Sequence, residues 1–118
     1  MITIRELAQV CYDANKAYCV SRGELNKNRW GNIEEWRRES VMDGVRCALD
    51  FANPMPEDLH GSWRSARESE GWSYNKQENS EDKHHPCLIP FDELPKDRVE
   101  KYKLFIAVVK ALGNEAVE

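Results

Sequence analysis

The side chains with the most chemistry between them fall in one stretch, Leu59 to Pro95, which reads LHGSWRSARESEGWSYNKQENSEDKHHPCLIPFDELP. Arg67 offers a guanidinium for charge-assisted hydrogen bonds to a phosphate or carboxylate. Trp72 and Tyr74 offer aromatic faces on which a base can stack. Trp63, His85, Pro90 and Asp92 add to this a mixture of apolar wall and a few polar groups, the usual lining of a small-molecule pocket. The expected site therefore lies between the helix carrying Trp63 and Arg67, the Gly71 to Tyr74 turn and the His85 to Leu94 loop. Each residue also has a plainer use. The tryptophans can be core, His85 can donate to a backbone carbonyl that holds the loop, and Asp92 can sit near the positive end of a following helix.

Covalent or metal chemistry finds less support. No G-x-S-x-G elbow, Walker loop or H-E-x-x-H pair is present. Cys87 and His85 suggest a nucleophile and base, as a minor hydrolase would need, but Cys87 lies in the apolar segment Cys87-Leu88-Ile89, where a thiol is expected to be buried and inert. His84, His85 and Cys87 suggest zinc, yet no CxxC or HxxxH partner pair completes a ligand set. The expectation is a non-enzymatic chain without a cofactor.

Composition narrows the class. The chain has 118 residues, 41% hydrophobic and 32% charged, which suits one soluble globular domain with a modest core. A net charge of -4 argues against indiscriminate nucleic-acid or membrane-surface binding. No apolar run approaches the roughly 20 residues of a bilayer span, and the start lacks the pattern of a signal peptide. A cytoplasmic location is expected. Cys11 and Cys19 lie eight apart on one helix, roughly 12 Å by its rise, so they are expected to be reduced.

Four helices must position the central stretch. Thr3-Ile4-Arg5-Glu6 forms a capping box opening a helix to about Arg22, with Ile4, Leu7, Ala8, Cys11, Ala14 and Tyr18 on its apolar face. Asn15 borders that face, either as a hydrogen bonder between helices or as a pocket residue. After a loop carrying Trp30, Asn32 caps a second helix with Glu35 as its return partner, running to about Ala52. Its core face is expected to be Ile33, Trp36, Val41, Val45, Ala48, Leu49 and Ala52, with Glu34 and Arg38 paired on the surface. Gly44 in mid-helix implies close approach of another helix. Pro56 opens the third helix, to about Glu70, placing Leu59, Trp63 and Ala66 on one face, with Arg67 against Trp63 or pointing past it. Pro86 and Pro90 hold the segment between them extended. Pro95 opens the last helix, to Leu112, with Val99, Tyr102, Phe105, Ile106, Val109 and Leu112 as its stripe; it is the most apolar and is expected to be central.

The order Leu59-His60, Trp63, Arg67, Gly71-Trp72, Tyr74, His85-Pro86-Cys87-Leu88-Ile89, Leu94-Pro95 and Tyr102 resembles the ryanodine receptor repeat domain, over about Asn53 to Leu112. The amino-terminal half is similar to the stand-alone bacterial and phage type. Asn75 stands where the family usually has glycine, and Arg67 where it often has lysine. Asparagine also tolerates left-handed geometry, and arginine keeps the charge. The resemblance implies a compact recognition module for a nucleotide-derived signal, with no channel activity.

The fold expected is all-α, a compact bundle of about four helices with a long ordered loop and at most a short β segment near residues 72-74. One domain spans 1-118, with an amino-terminal helical pair over 1-52 and the core motif over 53-113. The ligand-binding set is Asn15, Trp63, Arg67, Trp72, Tyr74, His85, Pro90 and Asp92. The alternative is a protein-interaction module that docks on a host protein or self-associates, presenting an apolar patch that includes Trp30 or Trp36.

Overall fold

The computed structural model describes residues 1–25 and 27–118. It is mainly α: α1 (Ile4–Ser21), α2 (Glu35–Asp50), α3 (Pro56–Ser69) and α4 (Lys96–Leu112), with β1 (Ser73–Tyr74) and β2 (His84–His85) paired in parallel within the connection from α3 to α4. Short 3-10 turns cover Trp30–Asn32 and Phe91–Glu93.

The capping box of α1 is formed. The Thr3 hydroxyl accepts from the Glu6 N–H at 3.0 Å and the Glu6 carboxylate accepts from the Thr3 N–H at 2.9 Å. The chain's end returns to the same place. Val117 bridges Thr3 in parallel, its carbonyl accepting from the Ile4 N–H at 2.6 Å. Arg46 then clasps Glu118 at 2.8 Å.

Helix α1, not α4, is the centre of the bundle. Its Leu7, Ala8, Cys11 and Cys19 have no exposed surface, and it packs against both α2 and α4. The core gathers these with Ile4, Trp30, Ile33, Met42, Val45, Ala48, Leu59, Ile106 and Val109. Helix α4 carries more apolar residues than it buries: Leu112 is 46% exposed.

The start of α2 differs from expectation. Asn32 closes the 3-10 turn through its own N–H on the Arg29 carbonyl, Ile33 and Glu34 are extended, and α2 begins at Glu35. Glu35 does not return to Asn32, because Arg5 (3.1 Å) and Arg38 (2.8 Å) hold its carboxylate. The expected Glu34–Arg38 pair is replaced by Glu34–Arg37 and Glu35–Arg38, each three residues apart. Arg38 also donates to the Trp30 carbonyl at 2.8 Å, which seats that indole in the core. The buried face of α2 is Met42, Val45 and Ala48, with Arg38 one turn earlier. Trp36 lies about 200° round the helix from Arg38 at 100° per residue. It is 38% exposed, and Leu49 and Ala52 are exposed as well.

Gly44 is where α4 comes close: a Cβ there would lie 3.1 Å from the Phe105 ring. Gly71 ends α3 with φ of +92°, a backbone only glycine adopts without strain. Asn75 does not take up left-handed geometry; Lys83 does, with φ of 58°. The Asn75 side chain instead accepts from the Gln77 N–H at 3.1 Å, and Lys83 donates to the Glu70 carbonyl at 2.8 Å, closing the frayed end of α3.

All four cysteines are free thiols. Burial pushes the Cys11 thiol up to about 12. Alkylation of native protein at pH 8 is therefore expected to label Cys47 and Cys87, which are half-buried, well before Cys11 and Cys19. Mass mapping of a time course checks the order; early labelling of Cys11 would contradict the packing of α1 on α4.

Candidate functional site

The long α3–α4 connection folds back on α3 because Gly71 reverses the chain and β1 then pairs with β2, Ser73 opposite His84 and Tyr74 opposite His85. Two aromatic and cationic groupings flank this ladder. In the first, the Arg67 guanidinium lies 5.6 Å from the Trp36 ring and 6.0 Å from Trp72, and the two indoles are 5.5 Å apart. Arg37 covers Trp36 at 4.6 Å. Arg67 is 7% exposed, pairs with Glu70 at 2.9 Å and leaves its Nε buried without a partner among the described residues. It therefore lies against Trp36 and Trp72, not Trp63. Trp72 is buried beside it, while Tyr74 is 52% exposed.

The second grouping is centred on Trp63. The His85 ring meets its face edge-on at 4.9 Å, and the Arg98 guanidinium lies 5.3 Å from Trp63 and 5.6 Å from Tyr102. Among the described residues no carboxylate pairs with Arg98.

His60 holds the loop under this surface. It is 2% exposed. Its Nε2 faces the Ile89 carbonyl at 2.8 Å, which only accepts, so Nε2 carries the proton and the bare Nδ1 accepts from the Tyr102 hydroxyl at 2.9 Å. Burial lowers its pKa, keeping it neutral. One ring thereby ties α3, α4 and the Pro86 to Pro90 segment together; that segment is not extended as expected, because Pro86 and Cys87 form a turn in which the Leu88 N–H donates to the His85 carbonyl at 3.4 Å.

His85 works the other way from expectation. Its Nδ1 accepts from the Cys87 N–H at 2.9 Å, so it does not donate to a carbonyl there; Nε2 carries the proton and faces Glu78 at 3.6 Å. Burial first, then the Arg98 charge, pushes its pKa down to about 4. The sign follows from linkage. The unfolded chain, with an ordinary histidine near 6.5, binds the proton that the native state refuses. The stabilisation is complete above pH 6.5 and is lost as pH falls towards 4. Acidification from pH 7.5 to 4.5 is expected to cost about 2–3 kcal/mol through this ring. Urea unfolding at both pH values should show a smaller loss in His85→Asn, whose amide oxygen can still accept from the Cys87 N–H. An equal loss in both proteins would remove His85 from the acid response.

The remaining candidates are spread more widely. Pro90 and Asp92 are exposed on the 3-10 turn, where the Pro90 carbonyl accepts from the Glu93 N–H. Asn15 donates to the Cys11 carbonyl at 3.3 Å within its own helix, not between helices, and leaves its Oδ1 buried without a partner. It makes no hydrogen bond to the other candidates. Two surface depressions, of about 460 and 250 Å³, are lined by none of the eight.

The family model for the RyR domain matches residues 46–112, more than half of the chain. The chain belongs to the RyR domain family. The match takes in α3, the ladder, the His60-anchored loop and α4, and so contains both Arg67 and Arg98. Trp36 and Arg37, which take part in the first grouping, come from outside the matched segment.

His60, Arg98 and Trp36 were missed as site-building residues. For Arg98 a signal existed, since it precedes Tyr102 by one helical turn and must share its face. Trp36 had none, because its partner is brought to it by the Gly71 reversal.

Proposed function

We propose that this chain is a non-enzymatic recognition module that binds a small, nucleotide-derived anion on the surface where α3, the Gly71 to Tyr74 turn and the His85 to Leu94 loop meet. The observation that carries this reading is the Arg98 guanidinium, laid over Trp63 and Tyr102 with no carboxylate partner among the described residues. In this reading Arg98 takes the phosphate and Trp63 or the exposed Tyr74 offers a ring to the base. Arg67 is a support, since Glu70 already occupies it.

The test is thermal unfolding against mono-, di- and cyclic nucleotides and ADP-ribose. A ligand bound only by the native state raises stability by RT ln(1 + [L]/Kd), about 2.7 kcal/mol at a hundredfold excess over Kd. One compound is expected to shift the midpoint in a concentration-dependent way, and Arg98→Gln to abolish the shift while leaving the unliganded midpoint nearly unchanged. No shift across the panel at millimolar ligand would overturn the reading.

A second reading rests on a separate surface. Leu49 and Phe51 line the depression at the ends of α2 and α4, and with Met55 and Leu112 they are 39–46% exposed. That patch suits a protein partner or self-association. Trp30 takes no part in it, being buried, whereas Trp36 is partly exposed elsewhere.

A further inference from the structure

The polar run between β1 and β2 places one carboxylate between Arg37 and the His85 ring. Glu78 Oε2 lies 3.6 Å from Arg37 Nη1 and Glu78 Oε1 lies 3.6 Å from His85 Nε2. Both distances are too long for direct hydrogen bonds, and the Glu78 side chain is 48% exposed. The carboxylate is therefore shared between two donors and held closely by neither.

Two cations besides Arg37 act on this region. Arg98 borders His85 through Trp63, which both of them contact. Lys27 is exposed along its stem, but its ammonium lies 5.5 Å over the Tyr12 ring. Desolvation there lowers its pKa, and it feels the positive charges of Lys101 and Arg98 and the negative charge of Glu78. Arg37 is fixed by Glu34 and by the Ser80 hydroxyl, and the Tyr12 hydroxyl donates to the Asn28 carbonyl. Arg37 and His85 thus face one loosely held negative group, with Arg98 beyond Trp63.

We infer that Glu78 is a built-in competitor for the anion site: its carboxylate fills a phosphoanhydride seat made by Arg37 and His85 with Arg98 beyond Trp63, and a bound phosphate-bearing ligand displaces it. This rests on the ligand-binding reading above and adds the seat's residues and its regulation. Three features support the displacement. A pyrophosphate group carries more acceptor oxygens and more charge than one carboxylate, so it can satisfy donors that Glu78 only approaches. Glu78 sits on a run whose local order comes from the Asn75 and Asn79 side chains accepting from the N–H groups of Gln77, Glu81 and Asp82, contacts that do not depend on Glu78. Finally, the half-exposed Glu78–Arg37 ion pair is weak and yields readily to a better anion.

The experiment is calorimetric titration of inorganic pyrophosphate into the wild-type chain, Glu78→Gln and Glu78→Gln/Arg98→Gln. Glu78→Gln is expected to bind about fivefold more tightly than wild type, the equivalent of one or two surface ion pairs released. The double variant is expected to lose binding, while circular dichroism shows all three folded. Equal or weaker binding by Glu78→Gln overturns the inference. So does failure of both the wild type and Glu78→Gln to bind at 10 mM, roughly a hundredfold above ordinary metabolite affinities. Nucleotide binding that ignores Glu78 leaves the proposed function standing without this seat. Pyrophosphate binding tightened in Glu78→Gln, with no response to any nucleotide, leaves the seat and removes the nucleotide.

Discussion

Replacing His60 by alanine is expected to lower the stability of the fold by about 3–5 kcal/mol, the largest effect of any single substitution in the RyR segment. The ring is 2% exposed and holds both Tyr102 at 2.9 Å and the Ile89 carbonyl at 2.8 Å. Alanine leaves a cavity between α3 and α4, and it orphans an acceptor and a hydroxyl in partly buried surroundings. His60→Phe separates these costs. It keeps a planar ring in the same place with a modest excess of volume, so it is expected to lose about 1–3 kcal/mol, mainly the penalty of the unpaired groups. Denaturant unfolding of the three proteins checks the order. Equal stability of wild type and His60→Phe would show that His60 acts through shape and not through its two hydrogen bonds.

Arg67→Ala comes second, at about 2–4 kcal/mol. The side chain is packed against Trp36 and Trp72, so its removal takes away two cation–π contacts and opens a void between indoles. The Glu70 partner is exposed and loses little. Arg67→Met should restore much of the packing and about half the stability. The same contrast decides what Arg67 does. If the surface centred on Arg98 is the site, Arg67→Met retains ligand binding at temperatures where it is folded. Loss of binding in a folded Arg67→Met protein would return the anion contact to Arg67.

Local chemistry made much of this fold legible. Thr3 and Glu6 fixed the start of α1, Pro56 the start of α3, and Pro95 and Gly113 the limits of α4, because caps are decided by neighbours in sequence. Gly44 announced the approach of α4. The start of α2 misled because Asn32 and Glu35 have the spacing of a capping box, whereas Arg5, distant in sequence, claims Glu35. In the candidate site the legible part was the set Trp63, Arg67, Trp72, Tyr74 and His85, which does gather around one short ladder. Its internal pairing was not legible. One turn of helix puts Arg67 after Trp63, but the Gly71 reversal brings Trp72 beneath Arg67, and Arg98 from α4 takes the place over Trp63. Glu78 lies in a run that reads as featureless polarity, and only the folded loop gives its carboxylate a position.

The central claim is that the Trp63, His85 and Arg98 surface is where a nucleotide-derived anion binds. It is tested most directly by mapping nitrogen–proton chemical shifts of the labelled chain as ADP-ribose is added. The account predicts saturable shifts at the Trp63 indole N–H, the Arg98 Nε–H and the backbone of His85 and Glu78, with Leu49, Phe51 and Leu112 unmoved. Shifts confined to that apolar end, or no shift at millimolar ligand, would contradict it.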